Sequence, residues 1–438
     1  MANRIYLCLA HMSEAGLEQK YIKEAFDTNW VVPLGPNVNA FESELRDYVT
    51  KGCEREEVEG NSRLAEKEVV ALASGTAAVH LALLACGVGP GDEVIVQSFT
   101  FCASSHPITY LGATPVFVDS EPDTWNMDPV LLEEAIKDRI AKTGRKPKVI
   151  ETVYLYGMPA KIDEILAVAR KYEIPVVEDA AEGFGSRYKG RIVGTYGDYG
   201  VLSFNGNKII TTSGGGALIC PNKEAKDRIL WYATQAREAY PYYQHEAIGY
   251  NYRLSNICAG IGRGQMTVVD DHIAHHRHIA QLYKAAFADV KGITFHDEWR
   301  GTDGSNGNTP LMESNFWLST ILLDEDLKVK NEELAYAEAV HGAIGGAAGV
   351  VHATDSIHTD CEPNRNVEAM RLILDKKGIE SRPLWKPMHK QPVYKNAPAY
   401  VNGLSESCFK RGLCLPSGPL VTDEQVAMII ENIKDAIG

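Results

Sequence analysis

One lysine in the middle of the chain has the surroundings expected of a reactive amine. Lys208 follows the predicted strand DYGVLSF, is followed directly by two isoleucines, and precedes the glycine-rich run 213–216. An apolar setting favours the neutral amine, the nucleophilic form in Schiff-base chemistry, and glycines permit positive φ angles and close approach to a ligand. A lone lysine is more often a surface residue on a strand edge. Nearby polar residues favour a bound ligand instead, namely Ser203, Asn205 and Asn207.

A second candidate is the carboxylate pair at the end of a predicted buried strand. The apolar run IPVV leads directly into Glu178 and Asp179. A carboxylate at the end of a buried strand is costly to remove from water unless a cationic group faces it. For an isolated pair, capping the following turn would be the simpler explanation. The alternative is that the carboxylate faces a cationic group of a ligand.

A third candidate, the segment Ser74, Gly75 and Thr76, has the position of a phosphate-binding turn. It lies between a predicted strand and the helix AAVHLALLACG, so backbone N–H groups and the positive end of the helix dipole would face an anion. Alone the signal is weak, because serine and threonine cap many helices that bind no ligand. Phe101 follows another predicted strand, where it would either pack in the core or stack on a flat cofactor.

Taken in chain order, these features fit one ligand. A phosphate site, an aromatic ring, a carboxylate and a lysine are the groups that bind pyridoxal phosphate (PLP). In such a site the lysine attaches the cofactor as a Schiff base and the aspartate partners the pyridinium nitrogen. The sequence therefore predicts a PLP site.

The elements that must position these residues alternate between strand and helix from about residue 69 to residue 180. Alternation predicts an α/β fold with a mostly parallel central sheet, whose ligands bind at the carboxyl ends of the strands. The residues predicted at those ends are Ser74, Phe101, Tyr156 and Asp179. The charged segment 53–67 is a predicted solvated insertion. Because the pattern changes after about residue 260, we predict a large domain over residues 1–268 and a smaller α+β domain over residues 269–438.

Composition excludes several classes of function. The formal net charge of −14 argues against binding nucleic acid by general electrostatics. The nine cysteines lack C-x-x-C spacing, which argues against a disulfide framework and favours a reducing, cytoplasmic compartment. His272 and His276 have the spacing of a metal pair on a helix, but they open a long predicted helix, and we expect no metal. The start lacks a signal peptide, and the longest apolar stretch, 69–88, is too rich in Ala and Gly for a membrane helix.

Beyond these patterns, the chain resembles the DegT/DnrJ/StrS-type sugar aminotransferases, which are fold type I PLP enzymes. The resemblance runs from about residue 5 to residue 435. It rests on stretches that include ALASGTAAVHLAL, VVEDAAEGFGS, GDYGVLSFNGNKIITTSGGGAL and GYNYRLSNICAGIGRGQM. The family resemblance implies that Lys208 is the Schiff-base lysine and that Asp179 pairs with the ring nitrogen. Thr76 and Ser203 would bind the phosphate.

The resemblance also assigns the remaining cofactor contacts. Phe101 would stack on the ring, and Glu182 would lie at the ring oxygen edge, although many family members have His or Gln there. Asn251 would reach the phosphate across a dimer interface, which implies a homodimer with shared active sites. Gly75 and Asn205 complete the predicted cofactor-binding set.

A proline-rich segment near the C-terminus, IESRPLWKPMHKQP, is the predicted substrate wall. Its candidate substrate-binding residues are Arg382, Trp385, Lys386 and His389. The segment could simply cross the surface as a loop. Alternatively, its cations would face a diphosphate and its aromatic groups a sugar or base. The stretch resembles the subgroup that aminates UDP-linked 4-keto-6-deoxy-N-acetylhexosamines.

The predicted function is therefore transfer of an amino group from an amino acid, glutamate by family resemblance, to a nucleotide-linked keto sugar of polysaccharide biosynthesis. One alternative is the same chemistry on a GDP- or dTDP-linked keto sugar. Another is a catalytically idle sugar-sensing relative, although the presence of both Lys208 and Asp179 counts against it.

Overall fold

The computed structural model describes residues 4–51, 64–299, 311–330 and 361–437. The described helices are α1 (Leu17–Asp27), α2 (Pro36–Val49), α3 (Gly75–Ala85), α4 (Cys102–Tyr110), α5 (Pro129–Thr143), α6 (Ile162–Tyr172), α7 (Lys223–Ala233), α8 (Asn256–Met266), α9 (Val269–Phe287), α10 (Arg365–Lys376), α11 (Leu404–Arg411) and α12 (Asp423–Ala436). The described strands are β1 (Glu68–Leu72), β2 (Glu93–Gln97), β3 (Thr114–Val118), β4 (Val149–Val153), β5 (Val176–Asp179), β6 (Arg187–Tyr188), β7 (Arg191–Ile192), β8 (Tyr199–Ser203), β9 (Gly216–Cys220), β10 (Ile293–Phe295), β11 (Met312–Glu313), β12 (Ser319–Leu323), β13 (Arg382–Pro383), β14 (Ala399–Tyr400) and β15 (Gly412–Leu415).

The main sheet has eight strands in the order β1-β9-β8-β5-β4-β2-β3-β14. From β8 to β14 every neighbouring pair is parallel, whereas β9 is antiparallel to both of its neighbours. The strands β2 and β4 are buried on both faces, as their near-continuous apolar sequences require in a parallel sheet covered on both sides. The predicted α/β fold with a mostly parallel sheet is confirmed.

Two apolar layers cover the faces of this sheet. One layer joins α3 to the strands through residues such as Val79, Val177 and Val201. The other includes Ile150 of β4 and Ile165 of α6. The sheet is therefore the middle layer of the domain. Polar side chains lie mainly in the turns at the ends of its strands.

Local sequence signals place the helix ends well. Asp128 followed by Pro129 predicts a capped helix start. In the structure Asp128 caps α5 by accepting a hydrogen bond from Val130 N at 2.8 Å, and Pro129 occupies the first helical position. The residue pattern predicts helices over 104–111 and 271–290. In the structure, α4 and α9 each begin two residues earlier, at Cys102 and Val269. Helix ends set by packing rather than by a cap residue are the ones that sequence signals place least well.

The C-terminal part of the chain builds an antiparallel sheet in the order β10-β12-β15-β13. It packs against α9, α10 and α12 around Tyr283, Met370 and Ile429. One strand from this half, β14, instead extends the main sheet by pairing with β3. The domain boundary at residue 268 stays a prediction, and residues 53–63 of the predicted insertion lie outside the described residues.

Glu151 of β4 is a fully buried carboxyl group on a strand of otherwise apolar surroundings. It pairs in register with Val96 of β2 and Val177 of β5, and neither of its carboxyl oxygens has a hydrogen-bond partner among the described residues. Burial, and then the charge of Asp179, raise the pKa of Glu151 well above its ordinary value. The folded protein therefore holds Glu151 as a neutral acid.

We predict that Glu151→Val stabilises the protein at neutral pH by about 1–3 kcal/mol, because the variant buries no unsatisfied polar group. The gain should grow as the pH rises above 4.5, the ordinary pKa of the group. Above that pH the unfolded chain releases the proton that the folded chain retains, so the wild-type protein loses stability with rising pH. Thermal and urea unfolding at pH 5 and pH 8 would measure this, with Glu151→Gln as the neutral polar control. Equal stability of wild type and Glu151→Val at both pH values would contradict the prediction.

Candidate active site

A cavity of about 320 Å³ opens where β5 and β8 end and α3 begins. Eight of the nine residues predicted to bind the cofactor line it, namely Gly75, Thr76, Phe101, Asp179, Glu182, Ser203, Asn205 and Lys208. The ninth, Asn251, is exposed and is not among the residues that line this cavity. The fold thus brings together residues that lie more than 130 positions apart in the sequence, from Gly75 to Lys208.

Asp179 lies at the carboxyl end of β5 and is only 4% exposed. Ser104 Oγ donates a hydrogen bond to Asp179 Oδ2 at 2.7 Å, and Ala181 N donates to Oδ1 at 3.0 Å. Burial raises the pKa of Asp179, while these two hydrogen bonds and the charge of Lys208 oppose that rise. The carboxylate is fixed in orientation and suited to a cationic N–H group.

The start of α3 and the end of β8 form one side of the cavity. Ser74 caps α3 by accepting a hydrogen bond from Ala77 N at 3.0 Å, and Gly75 and Thr76 at the helix start line the cavity. Ser203 lies beside this helix start, since a Cβ added to Gly75 would lie 3.0 Å from Ser203 Cβ. The arrangement suits a phosphate group.

The glycine-rich run has a packing role that the sequence alone does not reveal. A Cβ added to Gly216 would lie 2.4 Å from Gly75 N, so the backbone of β9 approaches the start of α3 directly. The close approach at Gly216 is therefore to the helix start, whereas the predicted close approach of the glycine-rich run to a ligand stays a prediction. Gly214 and Gly215 line the cavity.

Lys208 reaches into the cavity from a turn after β8. Its backbone N–H donates to Asn205 O at 3.1 Å, and the two following residues, Ile209 and Ile210, are buried. The Lys208 Nζ atom lies 3.7 Å from Glu182 Oε1 and 4.0 Å from the centroid of the Trp317 ring. The amine is therefore held between a carboxylate and an aromatic face.

Glu182 contacts both Lys208 and Trp385 of the predicted substrate wall. Tyr156 N donates to Glu182 Oε2 at 2.7 Å, and Trp385 Nε1 lies 3.4 Å from Oε1. Burial raises the pKa of Glu182, and the nearby charge of Lys208 opposes this rise. In the structure Glu182 is an ion-pair partner of Lys208.

The predicted substrate wall divides into two pairs of residues. Trp385 and Lys386 line a groove of about 560 Å³ that adjoins the cavity, and Trp385 also lines the cavity itself. Arg382 instead pairs with Glu380 at 2.9 Å, and His389 Nδ1 lies 2.6 Å from Ser98 Oγ. Neither Arg382 nor His389 belongs to the lining of these two spaces.

Two residues of the site were missed by the sequence reasoning. Ser104 lies one helical turn after Phe101, and a polar residue there has the spacing to face the same ligand. Trp317 comes from the other half of the chain, and no local pattern connects it to Lys208. Its position depends on tertiary packing alone.

The two histidines of α9 that have the spacing of a metal pair, His272 and His276, are buried against neighbouring elements. His272 Nδ1 lies 3.0 Å from Ile209 O, and His276 is fully buried, which lowers its pKa to about 3. Across the described residues no three metal-binding side chains come together. The same part of the chain contains no helix that is both long and apolar enough to cross a membrane.

Comparisons with known proteins indicate the family of the chain. The model of the DegT/DnrJ/EryC1/StrS aminotransferase family matches residues 13–359 and 325–434. EpsN of Bacillus subtilis (strain 168), which carries the provisional name of a pyridoxal phosphate-dependent aminotransferase, is 41% identical over 435 residues, covering 98% of this chain and 95% of EpsN. The GDP-perosamine synthase of Escherichia coli O157:H7 is 34% identical, with 98% of each chain covered. The crystal structure of a DegT DnrJ EryC1 StrS aminotransferase from Brucella abortus is 26% identical, with a TM-score of 0.77 over 96% of this chain and 95% of that one.

Proposed function

Because the chain belongs to the DegT/DnrJ/EryC1/StrS aminotransferase family and is a PLP-dependent aminotransferase, we propose that it moves an amino group from an amino acid to a nucleotide-linked keto sugar of polysaccharide biosynthesis. The observation that carries the proposal is the convergence of Lys208, Asp179 and the start of α3 on one cavity. The likeness to a GDP-perosamine synthase supports the acceptor class. We take glutamate as the amino donor.

The residues of the cavity fit PLP. Asp179 offers a buried carboxylate that is already held by two donors, and it would hold the proton of the ring nitrogen. The N-terminus of α3 with Thr76 and Ser203 would bind the phosphate. Phe101, 52% exposed at the cavity mouth, would lie against the ring. When bound, PLP supplies an electron sink for the carbanion that forms at the carbon bearing the amino group.

The protein's own side chains would hold the cofactor in place and move one proton of the amino donor. Lys208 would attach the cofactor covalently and, once released, its Nζ would take the proton from the α-carbon of the amino donor. Glu182, 3.7 Å from Nζ, would keep the amine near that carbon. Gly75 and Asn205 would shape the cavity wall around the cofactor.

We further propose a homodimer in which Asn251 completes the partner's phosphate site. The support is that Asn251 is exposed and follows a segment with large exposed apolar side chains, of which Tyr243 is 78% and Ile248 82% exposed. A second exposed apolar segment runs over 30–34. Surfaces of this kind are typical of protein–protein contacts.

The eight cysteines of the described residues are all free, which supports the predicted cytoplasmic setting.

For the acceptor we propose a UDP-linked 4-keto-6-deoxy-N-acetylhexosamine that enters by the groove beside Trp385 and Lys386. The lysine would pair with the diphosphate and the indole would cover a sugar or base. Arg382 and His389 would act only after leaving their present partners, Glu380 and Ser98. A GDP-linked keto sugar is the second candidate, favoured by the likeness to a GDP-perosamine synthase.

Replacement of Lys208 and Asp179 tests the chemistry. In Lys208→Ala we expect no PLP to be fixed to the chain by borohydride and no turnover with glutamate. In Asp179→Asn we expect PLP still to be fixed, with a rate lower by about 10²-fold or more because a buried electrostatic contact is lost. Lys223→Ala, an exposed lysine on α7, is the control and should behave as wild type. Full turnover by Lys208→Ala would refute the proposal.

Mixing two inactive variants tests the shared sites. If Asn251 serves the neighbouring subunit, heterodimers of Lys208→Ala and Asn251→Ala contain one site with both residues intact. Mixed subunits should then regain part of the wild-type activity, measured after exchange has been verified by mass spectrometry of the intact dimers. Absence of recovery in verified heterodimers would show that each site is built within one chain.

A direct competition tests the acceptor. With UDP- and GDP-linked 4-keto sugars in equal amounts, we expect amination of the UDP-linked sugar. Lys386→Ala should raise the KM for the sugar by about tenfold or more, since a charge-assisted contact is lost, and should leave the glutamate half-reaction intact. Lys395→Ala, an exposed lysine a few residues along, is the matched control. Preference for the GDP-linked sugar would reject the nucleotide assignment and leave the PLP chemistry in place.

A further inference from the structure

The indole of Trp317 is a neighbour of the reactive lysine that comes from the C-terminal half of the chain. Its ring centroid lies 4.0 Å from Lys208 Nζ, and the residue is only 2% exposed. An ammonium group over an indole face at this distance is attracted by the ring quadrupole, and the attraction is stronger where water is excluded. The contact is therefore energetically significant for Lys208.

The ring is anchored to the same turn that presents the lysine. Trp317 Nε1 donates a hydrogen bond to Asn207 O at 2.5 Å, one residue before Lys208. A movement of the indole would thus displace the turn as well as the face beneath the amine. The position of Lys208 relative to the ring is fixed at both its backbone and its Nζ atom.

A second set of contacts fixes the ring relative to the opposite wall of the cavity. Asn315 Oδ1 accepts a hydrogen bond from Trp317 N at 2.8 Å, while Asn315 Nδ2 donates to Glu182 O at 2.9 Å and to Phe184 O at 3.0 Å. The backbone at Phe316 has a φ of 47°, which turns the chain between these two residues. One short segment, 315–317, therefore holds both groups that flank the amine.

The charged and titratable groups around Lys208 are few. Glu182 and Asp179 lie on the loop and strand end opposite the lysine, and both act electrostatically on it. Cys8 of the N-terminal segment lies nearby, and burial raises its pKa to about 12, so it stays a neutral thiol. Trp317 supplies the one aromatic face in contact with the amine that the structure describes.

We propose that Trp317 is a positioning residue that holds the Lys208 side chain beside Glu182 and returns its Nζ to one place in each turnover. This inference rests on the role proposed above for Lys208. It adds a specific contribution of the C-terminal half of the chain to the reactive amine. The contact does not require bound cofactor, so it is open to measurement in the cofactor-free protein.

The test uses Trp317→Leu, which removes the ring, and Trp317→Phe, which keeps a weaker ring. Phe287→Leu removes a ring from the core of the C-terminal sheet and is the matched control for lost packing. In the cofactor-free proteins, acetylation of Lys208 by N-hydroxysuccinimide acetate is followed by peptide mass spectrometry relative to the exposed Lys223. We expect Trp317→Leu to raise the Lys208 rate about tenfold, Trp317→Phe to raise it less, and Phe287→Leu to leave it unchanged.

The loaded enzymes give the second readout. For Trp317→Leu the glutamate half-reaction should slow by about tenfold with an unchanged KM for glutamate, and Trp317→Phe should recover part of the rate. Unchanged acetylation in both Trp317 variants, or an equal rise in Phe287→Leu, would overturn the inference. Turnover by Lys208→Ala would instead reject the role of Lys208, whereas the acetylation result depends only on the contact between the ring and the amine.

Discussion

The rest of the site depends on the carboxylate of Asp179, because a charge buried at the end of a strand must be stabilised by hydrogen-bond donors or an opposite charge. Two hydrogen bonds, from Ser104 Oγ and from Ala181 N, meet part of that need. Ser104 lies in the first turn of α4 and Ala181 lies directly after β5, so the positions of both donors follow from the fold. The remaining side of the carboxylate faces the cavity, where a cationic group would stabilise it. The charge of Lys208 also favours the ionised form of Asp179, so the protein itself supplies part of the stabilisation.

The parallel sheet explains how distant parts of the sequence meet there. Strands that run in one direction bring their carboxyl ends to one edge of the sheet. Asp179 at the end of β5 and Ser203 at the end of β8 both lie at that edge. The antiparallel strand β9 brings the glycine-rich run back to the start of α3, where only a residue without Cβ fits beside Gly75 N. Sheet topology and glycine packing together place the helix N-terminus next to the lysine turn.

How far the sequence predicts this arrangement depends on the range of each contact. The Asp128 cap, the strand–helix alternation and the residues at strand ends were predictable because their signals are local. The partner of Lys208 on its other side was not, because Trp317 lies over 100 residues away in a segment without a recognisable motif. Arg382 and His389 were chosen for their charge, and their pairing with Glu380 and Ser98 depends on neighbours that sequence spacing does not reveal.

Three carboxyl groups in this region differ mainly in the partners that the fold gives them. Glu151 has none among the described residues, and burial keeps it neutral. Glu182 has one backbone donor and a lysine 3.7 Å away, so its charge is tied to the state of the amine. Asp179 has two donors that do not change during a reaction. Environments that separate the protonation of like groups are what allows one site to hold a charge and move a proton at the same pH. On this reasoning Asp179 suits a permanent partner of a cofactor, and Glu182 suits a group that follows Lys208 as its proton comes and goes.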